Sequence, residues 1–377
     1  MTRIAFVGDV HVANHKKFGG KTNRGVNTRC EHVINSLQAA TTIARVQNVD
    51  SLVILGDLFD TPKPAPQLIR RVQEVLEGIP TIILAGNHDQ CSDAPGDNAL
   101  APLYPVAEVI DEPDVVGMSD LNLLMVPYHS GNYTAYLRER VRELCEQAKK
   151  GSTNILCFHA GISDDRTPSF LQESQASITK DKLFDLLEET DVRMAFAGHW
   201  HNARAWARDE KDIFQAGAFV PTGFGDQGTD YGTLYVYDTE TGIVEYHPVP
   251  GPRFLDVALD QDITTISAAR DSALDDCALF IRIAVNEDEI ALGETIIKAG
   301  IDSGVIENGE LSISKEATQK ACESAAVATS SADNLEEALN VYTGTMALKD
   351  VDAFDEPEAR MEILAMAINY LRKSGAD

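Results

Sequence analysis

Asp9 with His11, Asp57, the run Asn87-His88-Asp89, His159, and His199 with His201 are residue types that bind divalent metals, and each group follows a short apolar run. A spacing of two, as in Asp9/His11 and His199/His201, puts both side chains on one side of an extended backbone. Each group alone is a weak signal, because a histidine at a strand end is more often a hydrogen-bonded structural residue than a ligand, and Gly-Asp is a common turn dipeptide. Five groups in order, GDVH, GDLFD, GNHD, ILCFH and GHWH, are hard to credit to chance.

Such a set suits phosphate ester hydrolysis, which requires neutralising the non-bridging oxygens, generating hydroxide near neutral pH and stabilising a departing alkoxide. Two divalent ions about 4 Å apart do the first two, by polarising the phosphate and lowering the pKa of a bridging water. Carboxylate, amide and imidazole ligands suit Mn²⁺, Fe²⁺ or Zn²⁺. The glycines before Asp57, Asn87 and His199 allow tight turns and close backbone approach.

The elements that must position these residues alternate. Strand-like runs are Ile4 to Val7, Leu52 to Leu55, Thr81 to Leu84, Leu123 to Val126, Ile155 to Phe158 and Met194 to Ala197. Amphipathic stretches, Arg29 to Arg45, Ala65 to Leu76 and Ala135 to Lys149, lie between several of them. This rhythm predicts an α/β core with its ligands outside the carboxyl ends of the strands. Residues 203 to 249 read as strands without helices, ending in a hairpin that turns at Thr241 and Gly242.

Pro250-Gly251-Pro252 marks a boundary. Beyond it Phe254 to Leu259 and Leu279 to Val285 read as strands, Leu292 to Ala299 as a helix, and Pro357 to Leu371 as a last helix. In that last helix Met361, Leu364, Ile368 and Leu371 form one apolar seam, which fits either packing against the chain itself or a groove on a partner coiled coil.

The 377 residues suggest two or three domains. No apolar run approaches the ~20 residues of a membrane helix, so the expectation is a soluble, unprocessed protein with no membrane contact. Six scattered cysteines without a CxxC pair indicate neither a zinc knuckle nor a disulfide framework and fit a reducing cytoplasm.

A net charge of -27 argues at first against nucleic acid. The distribution reverses this, because residues 1 to 50 carry 7 basic and 3 acidic side chains, while residues 251 to 377 carry 10 and 25. Lys16, Lys17, Lys21, Arg24 and Arg29 fall in a stretch without an acid between Asp9 and Glu31. A solvated glycine-bearing loop would look the same, but its place beside Asp9 and His11 favours a phosphate-contacting one. His129 reads as a structural or supporting residue, His15 as a loop residue, and His32 and His247 carry no signal.

Over residues 3 to 205 the motifs resemble the calcineurin-like metallophosphoesterase superfamily, with its D-x-H, GD, GNH(D/E), H and GHxH order. The resemblance implies an α/β fold, a four-layer α-β-β-α sandwich with a smaller α+β cap domain and C-terminal helices. It implies two divalent ions, Mn²⁺ foremost, with Asp57 bridging them. Asp9, His11 and His201 would hold one ion, and Asn87, His159 and His199 the other. His88 would contact the scissile phosphate and aid the leaving group, with Asp89 orienting it.

Within the superfamily the chain is most similar to the SbcD family of repair nucleases and to phage recombination nuclease subunits. The features are GDLFDTPKPAP (56 to 66), QAGAFVPTGFGDQGTDYGTLYVYD (215 to 238) and an appended region after about residue 250. The first motif departs from the common DxHLG, continuing as Val12-Ala13.

The resemblance implies a nuclease domain over 1-250, a capping domain over 251-330 and a helical segment over 331-377 that docks on an ATPase. The expected activity is metal-dependent exonuclease or endonuclease cleavage of DNA in double-strand-break repair or recombination, by a hydroxide bridging the two metals. The expected partners are DNA, an SbcC-like coiled-coil ATPase and a second copy of the chain. A small-molecule phosphodiesterase or phosphatase is the rival within the same chemistry, and a scaffold without catalysis is the rival outside it.

Overall fold

Alternation along the first strand, Arg3–Val7, sends Ile4 and Phe6 to one side and Ala5 and Val7 to the other, and both sides are buried. A strand covered on both faces needs a layer on each. A computed structural model of the chain describes residues 1–92, 94–167, 176–226, 232–259 and 278–313 and supplies those layers.

Two six-stranded sheets lie face to face. The first runs Ile243–Pro248, Thr233–Asp238, Arg3–Val7, Ser51–Ile54, Thr81–Leu84, Glu108–Ile110. Its last four strands are parallel, and the Thr233–Asp238 hairpin pairs antiparallel beside Arg3–Val7. The second runs Arg204–Arg208, Lys211–Gln215, Met194–Gly198, Thr153–His159, Leu121–Val126, Asp114–Gly117, with four parallel strands flanked by antiparallel edges.

Between the sheets, Phe6 stacks on Phe196 with ring centroids 3.9 Å apart, and Phe196 on Phe214 at 4.8 Å. Each such aromatic contributes about 1.5–3 kcal/mol by leaving water. Helices Thr28–Val46 and Pro66–Leu76 cover the outer face of the first sheet, Tyr133–Gln147 and Lys180–Glu189 that of the second. The fold is therefore the four-layer α-β-β-α sandwich.

The expected strands and helices differ from these by one or two residues at their ends, where capping decides. Asn27, whose side chain accepts the Cys30 amide at 2.9 Å, starts the first helix. Helix Lys180–Glu189 was not anticipated, although Thr179 caps it and Leu183, Leu186 and Leu187 form its buried stripe. The hairpin turns through Thr239 to Gly242, where φ of +69° suits glycine.

Beyond residue 250 the chain forms strands Arg253–Val257 and Leu279–Val285, then helix Ile290–Asp302. The expected helix from Pro357 and the whole segment 331–377 lie outside the described residues. The chain divides into a unit of Met1–Arg282 with Ile296–Glu310, and a second of Ile283–Thr295 with the residues from Leu311 onward. No described helix is long and apolar enough to cross a membrane.

Candidate metal centre

Because the central strands of each sheet are parallel, their carboxyl ends present Asp9, Asp57 and Asn87 from one sheet and His159 and His199 from the other. Backbone bonds fix the loops: the amides of Val10 and His11 donate to the Asp57 carbonyl at 3.0 and 2.9 Å, and the Phe219 amide to the Asp9 carbonyl at 2.7 Å. There is no room for larger residues. A Cβ on Gly56, at φ +99°, would lie 2.0 Å from Nδ1 of His159, and one on Gly86 would lie 2.2 Å from Oδ1 of Asp57.

His11, Asp57 and His199 hold left-handed φ angles of 53°, 48° and 96°. Each costs on the order of 1–3 kcal/mol, a strain that persists where the surroundings over-determine it, as at functional sites.

All seven sequence-predicted ligands come together. Asp9, His11 and His201 form one group that could hold a cation, and Asp57, His159 and His199 another, their donor atoms lying within 4.8 Å of one another in each. Nε2 of His11 is 3.1 Å from Nε2 of His201, and Oδ1 of Asn87 is 3.1 Å from Nε2 of His159 and 2.8 Å from Nδ1 of His199. Asp57 sits between, with Oδ2 3.3 Å from His159 Nε2 and 4.0 Å from His11 Nε2. Both carboxyls of Asp9 and Asp57 are buried.

The hydrogen bonds test whether cations fit here. Nδ1 of His159 is 2.7 Å from the Leu55 carbonyl, which only accepts, so Nδ1 carries a proton. In the neutral ring Nε2 then aims a lone pair at the Asn87 oxygen. Two acceptors at that separation repel unless a proton or a metal ion lies between them. His201 repeats the arrangement, with Nδ1 3.0 Å from Oδ2 of Asp226 and Nε2 turned to His11. The donor set therefore fits divalent cations.

Protons take up this charge otherwise. Burial opposes the His159 cation, yet the Asp57 carboxylate beside it brings its pKa up to about 9. Burial, joined by the charge on His159, pushes His199 down to about 3. Burial likewise opposes ionisation of Asp57, but His159 and His11 hold it well below the usual carboxylate range.

The expected partnership of Asp89 with His88 is corrected. The Asp89 carboxylate faces inward and accepts the amides of Phe59 at 2.9 Å, Gly86 at 3.1 Å and Leu58 at 3.3 Å, clamping the GDLFD turn to the GNHD turn. Burial, with Asp57 nearby, raises its pKa to about 7. Asp60 is the residue beside His88: its carbonyl is 3.1 Å and its Oδ1 3.6 Å from Nδ1 of His88. The half-exposed His88 ring also meets His11 edge-on at 4.9 Å, and its amide donates to Asp57 at 2.8 Å.

Asp60 and Asp226 escaped the sequence reading. The second Asp of GDLFD was a usable signal for the first. Asp226 gave none, because nothing in PTGFGD announces that it turns to a histidine 25 residues earlier.

The basic loop separates. Lys16, Lys17, Lys21 and Arg24 are exposed, and Lys17 pairs with Glu310. Arg29 is buried, donating to the carbonyls of Lys17 at 2.8 Å and of Thr222, with its guanidinium 5.2 Å from the Phe254 ring centre. Its expected DNA contact is corrected to a structural role, since the guanidinium is buried and turned to the Lys17 and Thr222 carbonyls rather than to solvent. His129 stacks on Tyr136 at 4.2 Å, in keeping with a structural role.

Comparison with known proteins agrees with this geometry. The chain is 27% identical over 177 residues to the DNA double-strand break repair protein Mre11 of Sulfurisphaera tokodaii, covering 43% of this chain and 42% of that protein. It is 26% identical over 270 residues to the protein of the same name from Aeropyrum pernix, covering 66% and 61%. It thus spans less than two thirds of either relative. A dimetal phosphatase from Danio rerio is similar over 56% of this chain and 86% of that one, at 13% identity and a TM-score of 0.38, too low to argue from. Residues 2–203 match the calcineurin-like phosphoesterases throughout the motifs that build the centre. With the ordered ligand motifs, the paired sheets and that match in agreement, the chain belongs to the calcineurin-like phosphoesterase family, a family of metal-dependent hydrolases.

Proposed function

We propose that this phosphoesterase is a two-metal DNA nuclease of double-strand-break repair or recombination, with Mn²⁺ as its working ion and an SbcC-like coiled-coil ATPase as its partner. The observation that carries the reading is the convergence of seven ligand-type side chains with the half-exposed His88 at their rim. The likeness to two proteins named for DNA double-strand break repair supports the choice of substrate.

Two divalent cations would polarise the phosphate and make a water nucleophilic near neutral pH. The chain's residues divide the rest. Asp57 would hold both ions; Asp9, His11 and His201 one; Asn87, His159 and His199 the other. His88 would contact the phosphate and protonate the leaving oxygen, with Asp60 holding its Nδ1 side. Lys16, Lys21 and Arg24 would take backbone phosphates along the strand. Residues 251-330 would cap the site, and the segment 331-377 would dock on the ATPase in a dimer of heads.

The test offers linear duplex DNA and an aryl phosphodiester to the chain with Mn²⁺, with and without its ATPase, beside His88→Ala and Asp57→Ala. DNA should be cut, and both variants should lose the activity. Good hydrolysis of the aryl ester with DNA untouched would put the small-molecule phosphodiesterase in place of the nuclease. Equal activity in all three proteins would sink the site assignment.

A further inference from the structure

We infer that the two cation positions are unequal, and that Asp226 is the positioning residue that makes the Asp9–His11–His201 position the tighter one, filled first. The inference rests on the two-cation reading above and concerns what stands behind each ligand.

Behind His201 is a fixed carboxylate. Oδ2 of Asp226 lies 3.0 Å from Nδ1 of His201 and also accepts the Thr222 amide at 2.8 Å and the Thr222 hydroxyl at 2.5 Å. Behind His11 is Asp60, Oδ1 at 3.1 Å from Nδ1, within ion-pair reach though not aligned as a hydrogen bond. The other position has a weaker backing: Nδ1 of His159 meets the neutral Leu55 carbonyl at 2.7 Å with Oδ1 of Asp9 farther off at 3.8 Å, and Asn87 and His199 add no charge.

Asp9 groups with His11 and His201, its oxygens also accepting the His199 amide at 2.9 and 3.0 Å, while Asp57 groups with His11 on one side and with His159 and His199 on the other. The first position therefore faces one whole carboxylate, a share of another and two carboxylates behind its imidazoles. The second faces the share and, behind His159, only the more distant Asp9, which is not hydrogen-bonded to that ring. A carboxylate hydrogen-bonded behind a ligating imidazole fixes its tautomer and raises its basicity, and losing such a partner costs about 10–100-fold in metal affinity.

The turn that delivers Asp226 is itself held from elsewhere in the chain. Arg29 donates to the Thr222 carbonyl. Phe224 packs at 5.1 Å against Phe254 and at 5.9 Å against Phe18, and Phe254 stacks on Phe280 at 4.9 Å. The strands after residue 250 thus help to place a carboxylate at the metal centre.

The experiment is calorimetric titration of Mn²⁺ alone into the metal-stripped full chain, for wild type, Asp226→Asn, Thr222→Val and His159→Ala, with melting in EDTA to check folding. Wild type should bind in two steps. Asp226→Asn should weaken the tighter step about 10–100-fold and leave the weaker within about twofold. Thr222→Val, which removes one bond to the carboxylate, should weaken the same step less, and it decides the matter if Asp226→Asn does not fold. His159→Ala should lose the weaker step and keep the tighter.

The inference is overturned by two equal wild-type affinities, by Asp226→Asn shifting both steps alike or neither, or by His159→Ala abolishing the tighter step. An unchanged tight step in Thr222→Val overturns it where Asp226→Asn is unfolded. A wild type that binds no Mn²⁺ overturns the two-cation reading itself.

Discussion

The backbone carbonyl of Asp60 lies 3.1 Å from Nδ1 of His88, and the Asp60 carboxylate 3.6 Å from the same nitrogen. The imidazole proposed to meet the substrate is thereby held at its Nδ1 side while the ring stays half-exposed. Asp60→Ala removes the carboxylate and keeps the carbonyl, so its effect should be partial. Turnover on DNA should fall about 10-fold, against about 10²–10⁴-fold for His88→Ala, with KM little changed in either. Equal losses in the two variants would show that Asp60 does more than position the ring.

His159 links metal binding to pH. In the metal-free chain its pKa lies at about 9, so the proton on Nε2 occupies the direction a cation would use. Mn²⁺ binding should release a proton throughout the range below pH 9, and apparent affinity should rise as pH climbs from 6.5 to 9. Calorimetry in buffers of different ionisation enthalpy measures the release, and a buffer-independent heat would refute it.

The same group sets a stability trend. A basic group whose folded pKa is raised contributes stability fully present below its unfolded value, near 6.5, and lost as pH rises through the folded value. Urea unfolding in EDTA should therefore show stability falling between pH 6.5 and 9, and His159→Gln should flatten that slope. A wild-type profile that rises over this window would contradict the assignment.

Asp89 is predicted to matter first for folding. Asp89→Ala leaves the amides of Leu58, Phe59 and Gly86 buried without acceptors, at about 1–3 kcal/mol each, for a loss of at least ~3 kcal/mol. Asp89→Asn, which keeps an acceptor oxygen, should lose less. The midpoint of urea unfolding reports both, and an undisturbed midpoint in Asp89→Ala would return the residue to a purely catalytic role.

The basic loop should divide by salt dependence. Lys16, Lys21 and Arg24 are exposed and without ion pairs among the described residues. Replacing all three with Ala should leave the melting temperature unchanged and reduce the slope of log K against log salt for duplex DNA by up to about 3. Arg29→Ala should instead lower the melting temperature, because it strips the Lys17 and Thr222 carbonyls of their donor and uncovers Phe254.

What could be read in the chain alone was whatever depends on neighbours in sequence. The order of GDVH, GDLFD, GNHD, ILCFH and GHWH after apolar strands determined the seven candidate ligands, since parallel strands of a sheet end at one edge. Continuous apolar runs such as Ile4, Ala5, Phe6, Val7 determined a sheet covered on both faces. The hairpin turn read at Thr241 and Gly242 falls within the observed Thr239 to Gly242 turn, because a positive φ there suits glycine.

Only the tertiary structure decided which carboxylate stands behind which imidazole. Asp89 adjoins His88 in sequence but points into the core, while Asp60, 28 residues earlier, takes the place beside it. Asp226 reaches His201 because Arg29 and the Phe18, Phe224, Phe254 and Phe280 cluster hold its turn, and Arg29 left the surface to do so. These choices depend on the direction of side chains across loops brought together by packing of distant segments. No local spacing encodes that direction, because it is set where the two sheets and the strands after residue 250 meet.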